Sequence, residues 1–315
     1  MANLKEIRNR IGSVKNTRKI TSAMSRIAAA RLRRAQNAME AARDYGKRMA
    51  GITGEILAEL DDAPSQHPLL STNAQPAICY VIVTAERGLC GGFNSSVSRA
   101  AERAIKRLRA EGREVHIITV GRKGRDYLKT YKASSMAHHA APSAPAEVID
   151  IAEAITAEVV GLHAGNFSSA DIDGDGKPDI GTGPRVGEVR IVYNYFRNVI
   201  TQEVQDQQLI PLPMPEPRES GEPRAAVAHA IRAFEPDIKH LLDHLLPVAL
   251  ETAIQQALYN SVAAEVAARR SAMDSATDNA TELIAQLTLQ YNRERQAAIT
   301  KELMEIIGGA EALKG

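Results

Sequence analysis

With 315 residues, 44% of them hydrophobic, the chain is long enough to bury one or two cores. Its formal net charge of +1 sets up no global field toward nucleic acid or a membrane, although the charge is unevenly placed along the sequence. Two cysteines, Cys79 and Cys90, are too few for a disulfide scaffold, and no apolar run reaches the length of a membrane span, so a soluble chain in a reducing compartment without a signal peptide is expected. Aromatic residues make up only 4%, and abundant alanine favours long helices packed closely through small side chains.

The first segment, residues 1–63, reads as one helix. Asn3 is a candidate cap, and apolar residues follow at Leu4, Ile7, Ile11 and Val14, then at Ile20, Met24, Ile27, Leu32, Ala35, Met39, Ala42, Tyr45, Met49 and Ile52. No proline intervenes before Pro64. A helix to about Leu60 would be about 85 Å long. As far as Arg48, the cations Arg8, Arg10, Lys15, Arg18, Lys19, Arg26, Arg31, Arg33, Arg34, Arg43, Lys47 and Arg48 are opposed only by Glu6, Glu40 and Asp44, which makes this stretch a basic rod. One reading is a solvated face. The other is a surface awaiting an acidic partner, because like charges at helical spacing repel. Nucleic-acid binding is the alternative in another class, but Tyr45 is the sole aromatic before Tyr80, so stacking platforms are missing.

Residues 64–223 read as a Rossmann-like α/β domain. Pro64, Pro68 and Pro76 mark a loop, and the continuous apolar run Ile78 to Thr84 is a strand buried on both faces. A helix from about Asn94 to Ala110, a second buried strand Val115–Val120 and a short helix after Gly121 complete a βαβα pattern with a parallel sheet. A third strand is expected within Ala133–His139 and a helix from Pro145 through Leu162. Gly88, Gly91 and Gly92 lie between strand and helix, as in dinucleotide loops, but the spacing is not GxGxxG and no acidic residue ends the second strand. His138 and His139 have no partners at metal spacing, and no nucleophile with its base stands out.

At about 165–187 sits an Asp/Gly-rich insertion. Asp171, Asp173 and Asp175 at alternate positions, Gly176 at the bend and Asp179 beyond it suit a hard cation of calcium type. The competing reading is a polar loop whose Asp and Gly form turns, since the twelfth position of an EF-hand should be Glu and here is Thr182. Alternation from Glu188 to Phe196 and an extended run from Val199 to Leu212 then predict a hairpin added to the sheet. Prolines at 211, 213, 215, 217 and 223 form a linker.

Residues 224–315 return to helix. Pro236 and Pro247 punctuate the approach, and Val248–Ile307 contains neither glycine nor proline. Val262, Val266, Met273, Ala276, Ala280, Leu283, Leu287, Tyr291, Leu303 and Ile307 form a narrow seam with Ile284 beside it, as in a coiled coil. Arg269 and Arg270 interrupt it, either as a kink in the register or where the outer face meets another molecule. Two long seams at opposite ends of one chain predict an antiparallel two-helix coiled coil joined to the α/β domain.

Four stretches carry a family likeness over nearly the whole chain: Leu4 to Met24, Arg87-Gly-Leu-Cys-Gly-Gly92, Ala272 to Ala280 and Tyr291 to Leu303. They resemble the gamma subunits of F-type ATP synthases. The resemblance implies a non-catalytic rotor shaft of a proton-translocating enzyme, with no required cofactor, inside a ring of alpha and beta subunits and seated on the epsilon subunit and the membrane c-ring. It implies a peripheral position on the cytoplasmic face of the inner membrane and no nucleic-acid partner. It also implies that Met24, Arg269, Arg295, Gln296, Thr300 and Glu302 touch moving loops of the beta subunits. Val266 and Arg270 depart from the family's usual His and Met, and the insertion has no family role. Calorimetric titration with calcium tests that insertion: a cation site gives a heat that Asp173→Asn abolishes, whereas no heat at about millimolar ion removes it.

Overall fold

The computed structural model describes residues 2–58, 67–70, 77–129, 136–164, 167–169, 179–181, 186–213 and 238–312. The chain divides into two compact units, one of residues 1–30 with 269–315 and one of residues 31–268.

In the larger unit a five-stranded sheet has the order β3-β2-β1-β6-β7. Strands β1 (Ile78–Val83), β2 (Val115–Val120), β3 (Met136–His139) and β6 (Glu188–Phe196) run parallel, and β7 (Gln202–Ile210) closes one edge antiparallel to β6. Every residue of β1 and β2 is buried, as their continuous apolar runs require. Ile78, Tyr80 and Ile82 pack with Val97, Ala101, Ile105 and Leu108 of α2 (Phe93–Ala110), which covers one face. On the other, α4 (Val148–Ala164) is tied to β3 by His139 Nε2, 2.6 Å from Glu158 of α4. Between β2 and β3 lies the short α3 (Arg122–Leu128), and a two-stranded ribbon, β4 (Phe167–Ser169) with β5 (Asp179–Gly181), follows α4. The expected hairpin is therefore present as β6 and β7, with the parallel sheet beside it.

The long helices are α1 (Ala2–Ala58) and α5 (Ile238–Ala312). Two sequence-based boundaries shift. Asn3 lies inside the first turn of α1 rather than capping it. Pro247 lies inside α5 rather than before it. A proline there deprives the carbonyl four residues back of its donor, at about 3 kcal/mol. Leu242, Leu246 and Leu250, spaced one helical turn apart on either side, are buried, and each contributes about 1.5 to 3 kcal/mol, enough to carry the helix through. From Ala257 to Ala268, α5 buries all but Tyr259 and Glu265, so it is covered on nearly every side. Within the same unit Gly46 of α1 leaves room for Gln256, whose Nε2 donates to the Ala42 carbonyl at 3.4 Å.

In the smaller unit, the first part of α1 pairs with the stretch of α5 around residues 273 to 287. Thr21 Oγ1 and Thr277 Oγ1 are 2.7 Å apart, and the Ser25 hydroxyl donates to Asp274 Oδ1, so numbering rises on one helix as it falls on the other. The pair is antiparallel, as expected. Its buried residues on α1 are Ile7, Thr21, Ser25 and Ala28, and on α5 Met273, Ala280 and Leu287.

One turn of the sheet domain depends on a glycine. Gly121 has φ +92°, and a Cβ on it would lie 2.3 Å from the Thr84 carbonyl oxygen. Gly121→Ala should cost the larger unit about 2 to 4 kcal/mol in urea unfolding. An unchanged midpoint would show that the β1 and β2 ends separate freely.

Candidate partner-contact site

The carboxyl edge of the sheet is where an α/β enzyme would hold a ligand. Here it is filled by its own side chains. The Thr84 hydroxyl lies within hydrogen-bond distance of the Val120 and Gly121 carbonyls and accepts from the Gly124 N–H at 2.8 Å. In the glycine loop, Asn94 Oδ1 accepts from the Ala85 N–H at 2.8 Å, and its amide donates toward the Arg87 carbonyl and Cys90 Sγ. Glu86 Oε1 takes the N–H groups of Arg122 and Ala141. The side chains at these strand ends are thus committed to holding the loops together, which favours the structural-turn reading of Gly88, Gly91 and Gly92.

Titratable groups here are tuned by packing. Burial, then the Glu158 carboxylate, pushes the Cys79 thiol far up, leaving it an inert core group. Burial, with Asp206 next, pushes Tyr80 up to about 12, and burial does the same to Tyr193. His116 and His138 are lowered, chiefly by burial. Among the described residues no group of three or more His, Cys, Asp or Glu side chains is placed to hold a metal ion. Asp171, Asp173 and Asp175 of the expected calcium loop lie outside the described residues; Asp179 begins β5, but its side chain also lies outside them.

The paired helices present a different surface. The sequence pattern places Ile20, Met24 and Ile27 on the seam, yet Ile20 is 61% and Ile27 55% exposed, with Met24 half-buried. Thr21, Ser25 and Ala28 take the buried positions instead. Carrying the spacing of three and four onward from Leu4, Ile7, Ile11 and Val14 without a break leads through Arg18 to Thr21, Ser25, Ala28 and Leu32. That strict heptad was available in the sequence, but the larger apolar residues drew the pattern one position aside. Burying two hydroxyls in place of two isoleucines forgoes about 1.5 to 3 kcal/mol of apolar burial per position, partly offset by the hydrogen bonds. The outcome is an apolar stripe on the back of α1. On α5, Leu289 is 73% exposed, another outward residue that the pattern does not announce.

The anticipated contact residues fall into two groups. Met24 and Arg269 are half-buried in the paired region. Arg295, Gln296, Thr300 and Glu302 are exposed on the last turns of α5, about 40 Å further along the helix. By the register of Thr21 with Thr277, the first residue of α1 stands level with about position 297. Every described side chain from Ile299 to Gly309 is exposed, including Leu303 and Ile307, which the sequence pattern assigns to the seam. They lie past the start of α1, the helix that pairs with α5 among the described residues of this unit.

The ATP synthase family model matches residues 3–313. The ATP synthase gamma chain of Phenylobacterium zucineum is 41% identical over 314 residues, covering 99% of this chain and all of the relative. That of Fuscovulum blasticum is 44% identical over 315 residues with the same coverage, and that of Geobacter metallireducens 41% over 321 residues, covering both chains fully. Among solved structures, a chain of the Euglena gracilis mitochondrial ATP synthase matches with TM-score 0.61 at 17% identity, covering 99% of this chain and 95% of its own. A chain of the Tetrahymena thermophila central stalk and c-ring matches with TM-score 0.51 at 21% identity, covering 82% and 99%. The likeness to these structures concerns the fold. None of these relatives supports a nucleic-acid-binding role.

The cross-helix hydroxyl pair yields a double-mutant test. Thr21→Val and Thr277→Val should each cost about 1 kcal/mol in urea unfolding, and the double variant should cost less than their sum by about 0.5 to 1 kcal/mol. Strict additivity would mean that the two hydroxyls do not meet.

Proposed function

The chain belongs to the ATP synthase gamma-chain family, and from that membership we propose that it works as the central rotor shaft, coupling rotation of a proton-driven membrane ring to ATP synthesis or hydrolysis in the beta subunits. The single observation that carries the reading is the antiparallel joining of its two chain ends at Thr21 with Thr277 and Ser25 with Asp274. A pair of helices fastened side by side transmits twist better than either helix alone.

On this reading the bond-making chemistry belongs to the beta subunits and the chain supplies only differential contacts. One shaft cannot offer the same face to three surrounding sites. The back of α1 offers apolar Ile20 and Ile27, while Arg8, Lys15, Lys19 and Arg26 offer charge. Each angle therefore stabilises a different conformation of otherwise equivalent subunits. Met24 and Arg269 make contacts at one level of the shaft, and Arg295, Gln296, Thr300 and Glu302 at another. Alpha and beta subunits enclose the shaft, and the epsilon subunit and the c-ring seat the sheet-bearing unit. The chain is peripheral to the membrane, on its cytoplasmic face; no helix among the described residues is long and apolar enough to cross a bilayer, which is compatible with that position.

Reconstitution with alpha and beta subunits tests the reading. A labelled chain should rotate in one direction as the assembled complex hydrolyses ATP, and Arg295→Ala with Gln296→Ala should leave assembly intact while lowering turnover about tenfold, equivalent to about 1.4 kcal/mol of barrier. A chain that fails to assemble, or hydrolysis at full rate with the chain immobilised, contradicts it.

A further inference from the structure

His163, in the last turn of α4, is 2% exposed and meets a backbone oxygen with each of its ring nitrogens. Nδ1 lies 2.9 Å from the Val186 carbonyl, just ahead of β6. Nε2 lies 2.8 Å from the Pro68 carbonyl, on the connector that leads from α1 to the sheet. A carbonyl can only accept, and a neutral imidazole carries a single N–H. Either neutral tautomer therefore sets a nitrogen lone pair against an oxygen at hydrogen-bond distance, and only the doubly protonated ring satisfies both contacts. The neighbouring histidine is in the other state. His67 Nδ1 accepts the Leu69 N–H at 3.2 Å, so that nitrogen is bare, and its Nε2 is 3.4 Å from Asp243 Oδ1 of α5. Burial chiefly lowers the proton affinity of His67; Asp243 raises it, and the charge on His163 lowers it again.

We propose that His163 is a proton-binding clasp at the amino edge of the sheet: doubly protonated it holds Pro68 and Val186 together, and loss of one proton releases one of them. Three observations carry it. The first is the pair of carbonyl contacts, which no neutral ring can make. The second is its place at the carboxyl end of α4, where the helix dipole favours a cation and offsets part of the cost of taking a charge out of water. The third is what the clasp gathers. The Gly187 N–H donates to the Ala77 carbonyl and the Leu212 N–H to the Leu69 carbonyl, so the entries to β1 and β6 and the exit from β7 converge on the connector that His163 grips. The ionisable groups on the segments it joins have partners of their own: His67 meets Asp243, and Glu188, two residues beyond Val186, meets Arg113 and Arg190. On α4 itself, Glu158 meets His139. Raising the pH removes the second proton, so the fastening is complete in acid and is lost toward alkaline pH. The clasp belongs to the larger unit alone and stands apart from the shaft reading. On that reading it sets, with pH, how firmly the connector from α1 is fastened to the sheet.

The experiment takes the full chain with nitrogen-15 in its histidine rings and compares it with His163→Gln and His67→Gln. Ring-nitrogen spectra and amide hydrogen exchange are read from about pH 5.5 to about pH 8.5. At the acid end, one ring of the parent should show two slowly exchanging N–H protons. That ring should be missing from His163→Gln and present in His67→Gln. Corrected for the intrinsic pH dependence of exchange, protection of the Val186 and Leu212 amides should fall about fivefold across the range in the parent and in His67→Gln. In His163→Gln it should be low and flat throughout, since glutamine donates from one end only and does not titrate. A parent with no ring that holds two slowly exchanging protons overturns the clasp, whether or not the variants fold. The same pH dependence of protection in the parent and in His163→Gln overturns it as well.

Discussion

Two helices that begin and end the chain must bury one narrow seam between them, and in the smaller unit that seam is part hydroxyl and part hydrocarbon. Ile7, Ala28, Met273, Ala280 and Leu287 exclude water, while Thr21, Ser25 and Thr277 bind across or along the pair. Apolar burial alone tolerates sliding, because one aliphatic contact resembles the next. A hydroxyl that must find its partner at 2.7 Å does not. The polar layer sets the axial and rotational match of the helices.

The same choice explains the outer surface. With Thr21 and Ser25 turned inward, Ile20 and Ile27 are turned outward, and the stripe is a consequence of register. Beyond the last partnered turn, α5 goes on with exposed Leu303, Met304, Ile306 and Ile307, which would be a liability on an isolated protein. A protein that keeps so much apolar side chain uncovered at both places is built to be enclosed. The sheet unit has the opposite character: its carboxyl edge is closed by Thr84, Asn94 and Glu86, its Cys79 is inert, and its strand ends hold one another.

Much of the architecture was legible in the residues. The apolar runs at Ile78 and Val115 gave strands, the alternation at Glu188 gave the hairpin, and long tracts free of proline gave the helices. The misreadings share one cause. Periodicity analysis ranks positions by side-chain size and polarity, so it preferred Ile20 and Ile27 to Thr21 and Ala28, although the strict three-four count favoured the smaller residues. It treated Pro247 as a stop because a local rule cannot see Leu246 and Leu250 buried around it. Leu303 and Ile307 looked like seam residues because sequence does not reveal where a partner helix ends. The pairing of Ser25 with Asp274, separated by 249 positions, has no local signature at all.

The central claim is that the two chain ends form one body that turns together. Val14 and Ile284 share the register of Thr21 with Thr277, and the native Cys79 and Cys90 are buried, so Val14→Cys with Ile284→Cys offers one accessible thiol pair across the helices. Oxidised within the assembled alpha and beta complex, that pair should cross-link in high yield while ATP-driven rotation continues at the reduced sample's rate. No cross-link, or a cross-link that stops rotation, would contradict the account.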